Sequence, residues 1–162
     1  MSLIFRMLYV LLLSRRRERL PVVGARSVLR LRVLPNDLDA NFHMNNGRFL
    51  TICDLNRVDL FIRSGLAMLM KKEGWRPIIA EHTMKYRKPL KPFQRYQVVM
   101  EVERADERAF YMTHTFLVDG QVAAEGTSVG VVRGKGRVIP PAEVMDRLAG
   151  RNGTLPSPAT DV

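Results

Sequence analysis

The residues best suited to chemistry lie in one short polar segment between Pro35 and Leu50. Within it, two aspartates, four asparagines and one histidine lie among the 11 positions from Asn36 to Asn46. A carboxylate can act as a general base or as a nucleophile, and imidazole and amide groups can orient it or a water molecule. The same residue types are also ordinary loop formers. The composition alone therefore leaves two alternatives, a reactive loop or a polar loop with capping asparagines.

A long apolar helix is predicted directly after this segment. Asn45 and Asn46 are good N-cap residues, and positions 47–69 carry apolar side chains around most of the helix circumference, which is typical of a buried helix. A helix N-terminus presents unpaired N–H groups and a partial positive charge. These groups suit an oxyanion, or a carbonyl that becomes one. We therefore expect the polar segment and the helix N-terminus to share one site.

The remaining chain is rich in β-branched and aromatic residues and predicts strands. The predicted strands are Ser27–Leu34, Ile78–Tyr86, Tyr96–Arg104, Arg108–Val118 and Gln121–Arg133. Asp119-Gly120 is a hairpin turn signal, a short helix is predicted at Ala142–Leu148, and residues 150–162 have the composition of a flexible tail. The element order predicts an α+β domain in which a curled antiparallel sheet wraps a long buried central helix.

Size and charge exclude several classes of protein. The 162 residues suit one domain and are too few for a TIM barrel or an α/β-hydrolase. The net charge of +10 is concentrated in residues 1–34, which hold eight arginines and one glutamate. Because the rest is nearly balanced, nucleic acid is not a predicted partner. One cysteine and three scattered histidines predict no disulfide, no metal and no cofactor.

The N-terminal segment is apolar from Leu3 to Leu13 apart from Arg6, and a cluster of four arginines follows at positions 15, 16, 17 and 19. A helix of 13 residues is about 20 Å long, which is short for a hydrocarbon core of ~30 Å. Two alternatives remain, an interfacial helix with its arginines at anionic headgroups or a helix that packs on the domain. The sequence predicts a cytoplasmic protein, either free or peripheral on the inner face of the membrane.

The predicted organisation is an N-terminal segment at 1–24, a domain at 25–135, and a short helix with a tail at 136–162. On the lipid-contact alternative, removal of residues 1–20 is expected to leave the domain folded.

Cys53 is interpreted as a buried structural residue. Gly126–Gly130 matches the Gly-x-Ser-x-Gly pattern, but Ser128 lies in a predicted strand, so the match is interpreted as accidental.

Several motifs resemble those of hotdog-fold thioesterases. The run from Asp39 to Asn46 resembles the Asp-x-Asn-x-His-x-Asn-Asn motif of plant acyl-ACP thioesterases. Asp39 and Phe49 keep the ten-residue interval of the 4-hydroxybenzoyl-CoA thioesterase type, and Tyr86–Phe93 resembles the strand end and turn of the same superfamily. The chain is most similar to the animal "thioesterase superfamily member" type, through Asp37–Asp39, His43–Asn46, Asp106–Tyr111 and the apolar front end.

The resemblance implies a hotdog fold and hydrolysis of an acyl thioester. In that role Asp39 is the general base or nucleophile, Asn41 and His43 align it or the water, and the backbone N–H near Asn46 polarises the carbonyl. The resemblance assigns no chemistry to Asp37. The Glu-Cys pair of the plant enzymes is absent from this sequence.

The resemblance also implies a substrate and partners. The substrate would be acyl-CoA or acyl-carrier-protein, held by Phe49 and His82. The nearby basic residues either meet the phosphates or form a solvated strand end (Lys85, Arg87, Lys88, Lys91). For His82 the alternative is a satisfied core or interface histidine. A homodimer or tetramer is expected. The alternatives in function are a hotdog dehydratase and a non-catalytic acyl- or CoA-binding module at the membrane.

Overall fold

A computed structural model describes residues 3–152, with side chains through Gly150. The elements are α1 (Leu3–Ser14), β1 (Arg26–Arg32), a 3-10 turn (Pro35–Asp37), α2 (Asn46–Ser64), α3 (Leu66–Glu73), β2 (Arg76–Tyr86), β3 (Arg95–Ala105), β4 (Phe110–Val118), β5 (Gln121–Gly134), β6 (Arg137–Ile139) and α4 (Pro141–Asn152). All five predicted strands are present within a few residues of their predicted ends. Strand β6 was not predicted.

The strands form one antiparallel sheet in the order β1-β3-β4-β5-β2, with β6 paired to β5. Asp119 and Gly120 both adopt positive φ at the β4–β5 turn, which is the backbone of the predicted hairpin turn. The sheet curls around α2, whose inner face is buried through Phe49, Ile52 and Leu55. The prediction of an α+β fold, in which a curled antiparallel sheet wraps a central helix, is confirmed.

The central helix is shorter than predicted. It ends at Ser64 because Gly65 adopts the left-handed conformation, φ 85°, and donates its N–H to Ile62 O. A glycine reaches this conformation without the cost that a Cβ imposes, so it is a common helix terminus. Residues 66–69, predicted as the last turn of the same helix, instead begin the separate helix α3. The outer face of α2 is not covered by the sheet, and Leu50 and Asp54 are exposed there.

Helix α1 has one packed face and one exposed apolar face. Val10 is fully buried against the core, with Leu3, Met7 and Leu13 packed around it. Five large apolar side chains on the other face are each more than half exposed: Ile4, Phe5, Leu8, Tyr9 and Leu12. No helix within residues 3–152 is long and apolar enough to cross a membrane. One face of α1 therefore packs on the domain, and its other, apolar face is exposed.

Buried polar contacts tie α1 to the rest of the chain. Arg6 forms a buried ion pair with Asp37, which follows β1. Ser14 Oγ donates to Asp59 Oδ1 at 2.7 Å, and Asp59 also pairs with Arg63 on α2. A buried charge is stable only when it is paired or hydrogen-bonded. Helix α1 thus supplies a partner to each of two buried carboxylates, Asp37 and Asp59. The predicted boundary at residue 24 stays a prediction.

The C-terminal helix is longer than predicted. Helix α4 runs from Pro141 to Asn152, and Val144 and Leu148 are buried in the core with Trp75. The prediction of a tail beginning at residue 150 is wrong for positions 150–152, because the helix continues through them. The rest of the predicted tail, 153–162, lies outside the described residues.

Candidate active site

The polar segment forms a tight hairpin in front of α2. The Asp39 N–H donates to His43 O at 2.9 Å, and an antiparallel bridge joins Leu38 to Met44. Phe42 turns the chain with φ 56°, and its N–H donates to Asp39 O at 3.1 Å. This closure brings Asp39 and His43 next to each other at the hairpin base. Both side chains are half-buried.

The hairpin, the start of α2 and the end of β2 enclose a depression of about 330 Å³, called here the loop depression. Its lining residues are Asp39, Asn41, His43, Met44, Asn46, Phe49, Tyr86, Arg87, Lys88 and Pro89. All four residues predicted as catalytic are among them, as are three of those predicted to bind substrate. Lys85, Lys91 and His82 are not in this lining. The loop depression therefore brings together most of the residues that the sequence singled out.

Asp39 is held by backbone groups. Its Oδ1 accepts a hydrogen bond from the Asn41 N–H at 2.9 Å, the contact of an Asx turn. Asn41 therefore contacts the Asp39 carboxylate through its backbone N–H. This hydrogen bond holds one oxygen of the Asp39 carboxylate against the backbone of the hairpin.

The N-terminus of α2 is capped by Asn45. Its Oδ1 accepts from the Gly47 N–H at 2.8 Å, and its carbonyl accepts from the Arg48 N–H at 2.8 Å. Asn46, which the sequence offered as a second cap, is instead the first residue of the helix. The Tyr86 hydroxyl donates to Asn46 O at 3.1 Å, and burial raises the pKa of Tyr86. Tyr86 was not predicted as a site residue.

Beneath the loop depression lies an aromatic cluster. The Phe49 ring packs edge-on against Tyr86, with centroids 5.1 Å apart, and against Phe116 at 4.8 Å. Phe49 is buried, so it closes the depression from below. The ten-residue interval from Asp39 to Phe49 therefore separates two residues that line the same depression.

Asp37 organises the hairpin from outside the depression. Its carboxylate accepts from Arg6 Nη1 at 2.9 Å, Arg6 Nη2 at 2.6 Å and the Leu34 N–H at 2.8 Å. Its carbonyl accepts from the Asn45 N–H at 2.8 Å. Asp37 therefore links α1, the end of β1 and the cap of α2. The sequence offered no signal for this role, because Arg6 and Asp37 are 31 positions apart.

The basic residues at the rim have protein partners. Arg87 pairs with Glu125, and Lys88 donates to Gln121 Oε1. Lys91 is exposed on the turn before β3, and Lys85 is exposed on β2. A phosphate ligand would compete with Glu125 for Arg87 and with Gln121 for Lys88. Arg87 and Lys88 can therefore bind a phosphate only if it replaces these protein partners.

A second polar cluster lies in a neighbouring groove between α2 and β2. This groove has a volume of about 330 Å³ and is lined by Gly47, Leu50, Thr51, Asp54, Arg57, Ile79 and His82. Arg57 Nη2 is 3.5 Å from His82 Nδ1 and 3.5 Å from His114 Nε2. The His82 Nε2 atom is buried without a hydrogen-bond partner in the described part of the chain. His82 Nε2 is therefore not satisfied within the described part of this chain, and the alternative of an interface histidine stays a prediction.

Burial changes the titration of this cluster. Burial, then the Arg57 charge and His82, lower the pKa of His114 to about 3, and burial also lowers the pKa of His82. Burial raises the pKa of Cys53 to about 12, so its thiol is protonated and inert, as the sequence indicated. His114 Nε2 also lies 2.8 Å from Ser128 Oγ. Ser128 is buried inside β5, so the Gly-x-Ser-x-Gly match does not form a hydrolase elbow.

Comparison with known proteins identifies the relatives of this chain. Residues 33–148 match the family model of the "Thioesterase-like superfamily". The chain is 38% identical over 85 residues to Protein THEM6 of Xenopus laevis, covering 52% of this chain but only 41% of that protein. It is 29% identical over 143 residues to Protein THEM6 of Danio rerio, covering 86% of this chain and 68% of that protein.

A solved structure supports the same assignment. The crystal structure of a thioesterase from Thermus thermophilus, complexed with coenzyme A and Zn, superposes with a TM-score of 0.65 at 25% sequence identity. The match covers 80% of this chain and 96% of the Thermus chain. The central helix, the curled sheet and the hairpin before the helix are thus parts of a hotdog fold.

Proposed function

The chain belongs to the thioesterase-like superfamily, and we propose that it hydrolyses acyl thioesters of coenzyme A or of an acyl carrier protein in the loop depression. Superfamily membership supports thioester hydrolysis in general. The observation that carries the specific proposal is the lining of the depression, where Asp39, Asn41, His43 and Asn46 meet at the N-terminus of the central helix. Such a helix end favours the negative charge that develops on a carbonyl oxygen.

In the proposed reaction, Asp39 acts as general base or nucleophile. As a base, it takes a proton from water while the water oxygen bonds to the thioester carbon. As a nucleophile, its carboxylate oxygen bonds to that carbon and water then releases the acid. In both routes the C–S bond breaks, and the sulfur leaves with its electron pair and accepts a proton. His43 orients Asp39 or the water, and the backbone N–H of Asn46 stabilises the oxyanion.

The proposed substrate follows the chemistry of the depression walls. Phe49 provides an apolar floor for the acyl group beside the carbonyl. Arg87, Lys88 and the nearby Lys91 would meet the phosphates of the carrier, with Glu125 displaced from Arg87. Coenzyme A in the Thermus structure supports coenzyme A as the carrier. His82 lines the neighbouring groove and would contact a substrate that extends along α2.

We further propose a homo-oligomer that forms through β2. This strand ends the order of the sheet, is 11 residues long, and has mostly exposed side chains. An unpaired edge of this length is a template for another strand, and a second copy of β2 would satisfy it with two-fold symmetry. Because the groove beside α2 opens next to β2, the partner subunit would border the substrate path.

A membrane surface is the proposed location of α1. Its exposed apolar face stands beside exposed arginines at positions 15, 16 and 19. An apolar helix face next to cationic residues suits the boundary between acyl chains and anionic headgroups. The protein would then be peripheral, on the inner face of the membrane.

A panel of acyl-CoA substrates of increasing chain length, with detection of the free thiol, tests the reaction. We expect Asp39→Asn to lower kcat by ~10²–10⁴-fold with little change in KM, because a base or nucleophile acts in the transition state. Asp146→Asn on α4 is a matched control, since it removes the same charge from an exposed helix position. Full activity of Asp39→Asn would reject the mechanism.

The alternative function is a binding module that has lost catalysis. A wild-type chain that binds acyl-CoA but hydrolyses no member of the panel would favour it. The fold alone does not separate the two, because one fold hosts several functions.

A further inference from the structure

A depression of about 620 Å³, called here the arginine depression, lies beside α1 against strands β1 and β3. It has no role in the proposed reaction. Its lining includes Tyr9 of α1, Arg30 and Arg32 of β1, and Arg95 of β3. Asp119, at the turn between β4 and β5, is the one acidic residue in this lining. The arginine depression is therefore strongly basic.

Three of the arginines lie on one face of the sheet. Arg30 and Arg32 alternate along β1 with Leu29 and Leu31, which pack in the core, so the arginine side chains lie on the outer face. Arg95 is the register partner of Arg32, and the Cβ atoms of such partners are about 5 Å apart on the same face. All three arginines are exposed. Three guanidinium groups thus extend from one small area.

These arginines have no acidic partner. Within the part of the chain whose side chains are described, no ion pair joins Arg30, Arg32 or Arg95 to a carboxylate. Like charges that face each other across two strands are destabilising. Such a pair is not by itself a site, because Arg76 and Arg133 form a second one on β2 and β5. The third arginine and the adjoining depression distinguish the pair on β1 and β3.

Helix α1 is fixed against this basic surface. Arg6 Nη2 donates to Arg32 O at 2.8 Å, and Arg17 Nη1 donates to Val28 O at 3.1 Å. Helix α1 therefore runs antiparallel to β1, along the edge of β1 that no strand pairs with. Tyr9 belongs to the exposed apolar face of α1 and also lines the arginine depression. The apolar face and the three arginines are thus parts of one continuous surface.

The two halves of this surface indicate the chemistry of the ligand. Guanidinium groups bind phosphate oxygens through paired, charge-assisted hydrogen bonds. A nucleic acid or a free phosphate would meet the arginines and leave the apolar face of α1 in water. A bilayer offers both partners at the required depths, with phosphates at the headgroup level and hydrocarbon directly beneath them.

We propose that Arg30, Arg32 and Arg95 bind the headgroup phosphate of an anionic phospholipid, while the exposed face of α1 enters the acyl chains of the same leaflet. The inference rests on the proposed membrane location of α1 and adds a headgroup site that the strands supply. The preference for anionic lipid would then depend on β1 and β3 as well as on the arginines that follow α1.

Binding of the purified full chain to two kinds of vesicle tests the site. One is phosphatidylcholine alone, and the other is an equimolar mixture of phosphatidylcholine and phosphatidylserine. Wild type should prefer the mixture. Because a basic residue at an anionic surface contributes about 5-fold in affinity, Arg32→Gln with Arg95→Gln should weaken binding to the mixture by about 20- to 30-fold.

A matched control separates the site from net charge. Arg76→Gln with Arg133→Gln removes the same charge from an exposed cross-strand pair that does not line the arginine depression. It should weaken binding by less than about 3-fold, because charges far from the bilayer are screened by salt. Equal losses in the two double variants would overturn the proposal. Neither variant should lower the urea midpoint, since each removes two like charges that face each other.

The remaining outcomes distinguish the ligand and the location. Calorimetric binding of inorganic phosphate that is lost in Arg32→Gln with Arg95→Gln, without a preference of wild type for the mixture, would overturn the proposal in favour of a soluble anion. Equal binding of wild type to both vesicles would overturn the headgroup site and leave the membrane location of α1 standing. Binding to neither vesicle would reject both. Thioester hydrolysis is measured without vesicles, so its failure would be separate.

Discussion

The ion pair between Arg6 and Asp37 should be the most sensitive contact between α1 and the domain. Only 3% of Arg6 and 1% of Asp37 are exposed, and two hydrogen bonds join them at 2.9 and 2.6 Å. Arg6→Met removes the cation and leaves the carboxylate buried. Breaking a buried pair in this way costs about 3–5 kcal/mol, and the contacts that remain to the desolvated carboxylate are the Leu34 N–H and Arg48 Nε at 3.7 Å. Since a domain is stable by only about 5–15 kcal/mol, this loss is large.

Urea unfolding followed by circular dichroism measures this cost. With a slope of about 2 kcal/mol per molar urea, the midpoint for Arg6→Met should fall by about 2 M. Asp37→Leu in the Arg6→Met background should recover part of the loss, because an apolar pair can replace a buried ion pair. Recovery should be incomplete, since the Leu34 N–H and Arg32 O lose their partners.

The outcome also bears on the loop depression. The Asp37 carboxylate also pairs with Arg48 in the first turn of α2, with 3.7 Å between Arg48 Nε and Asp37 Oδ1. Because the rescued double variant lacks this contact, it should stay folded but show a lower kcat. We likewise expect removal of residues 1–20 to destabilise the domain, contrary to the expectation from the sequence. A cost below about 1 kcal/mol for Arg6→Met would refute the argument, because it would mean that the pair is exposed to solvent and α1 is not docked.

Three further outcomes are expected. Burial and Arg57 lower the pKa of His114 from 6.5 to about 3, so below pH 6.5 the unfolded chain binds a proton that the folded chain does not. The free energy of unfolding should therefore fall by about 2 kcal/mol between pH 7 and pH 5. In urea titrations, His114→Gln should flatten this pH dependence. Light scattering of the full chain should report a dimer or tetramer, and a monomer at working concentration would contradict pairing through β2. Leu8→Asp, at an exposed position of α1, should weaken flotation with anionic vesicles without a change in unfolding midpoint; unchanged flotation would reject lipid contact.

Patterns that are local in the chain determined much of this protein. Alternating apolar residues predicted the strands, Asp119-Gly120 predicted the hairpin turn, and the element order predicted the wrapped central helix. These features follow from periodicity and turn chemistry, which act over a few residues. The spacing from Asp39 to Phe49 also predicted residues that line one depression, because hairpin and helix are adjacent in the chain. Their catalytic roles stay predictions.

Tertiary packing alone decided the partners of the buried charged and polar groups. Arg6 was grouped with an apolar segment, and Asp37 was given no role, yet they pair across 31 positions. Arg57, His82 and His114 come from one helix and two strands, and no spacing in the sequence relates them. A buried charge takes whichever partner the fold brings within hydrogen-bond distance, and that distance depends on how α1, α2 and the sheet pack together, which no local pattern encodes.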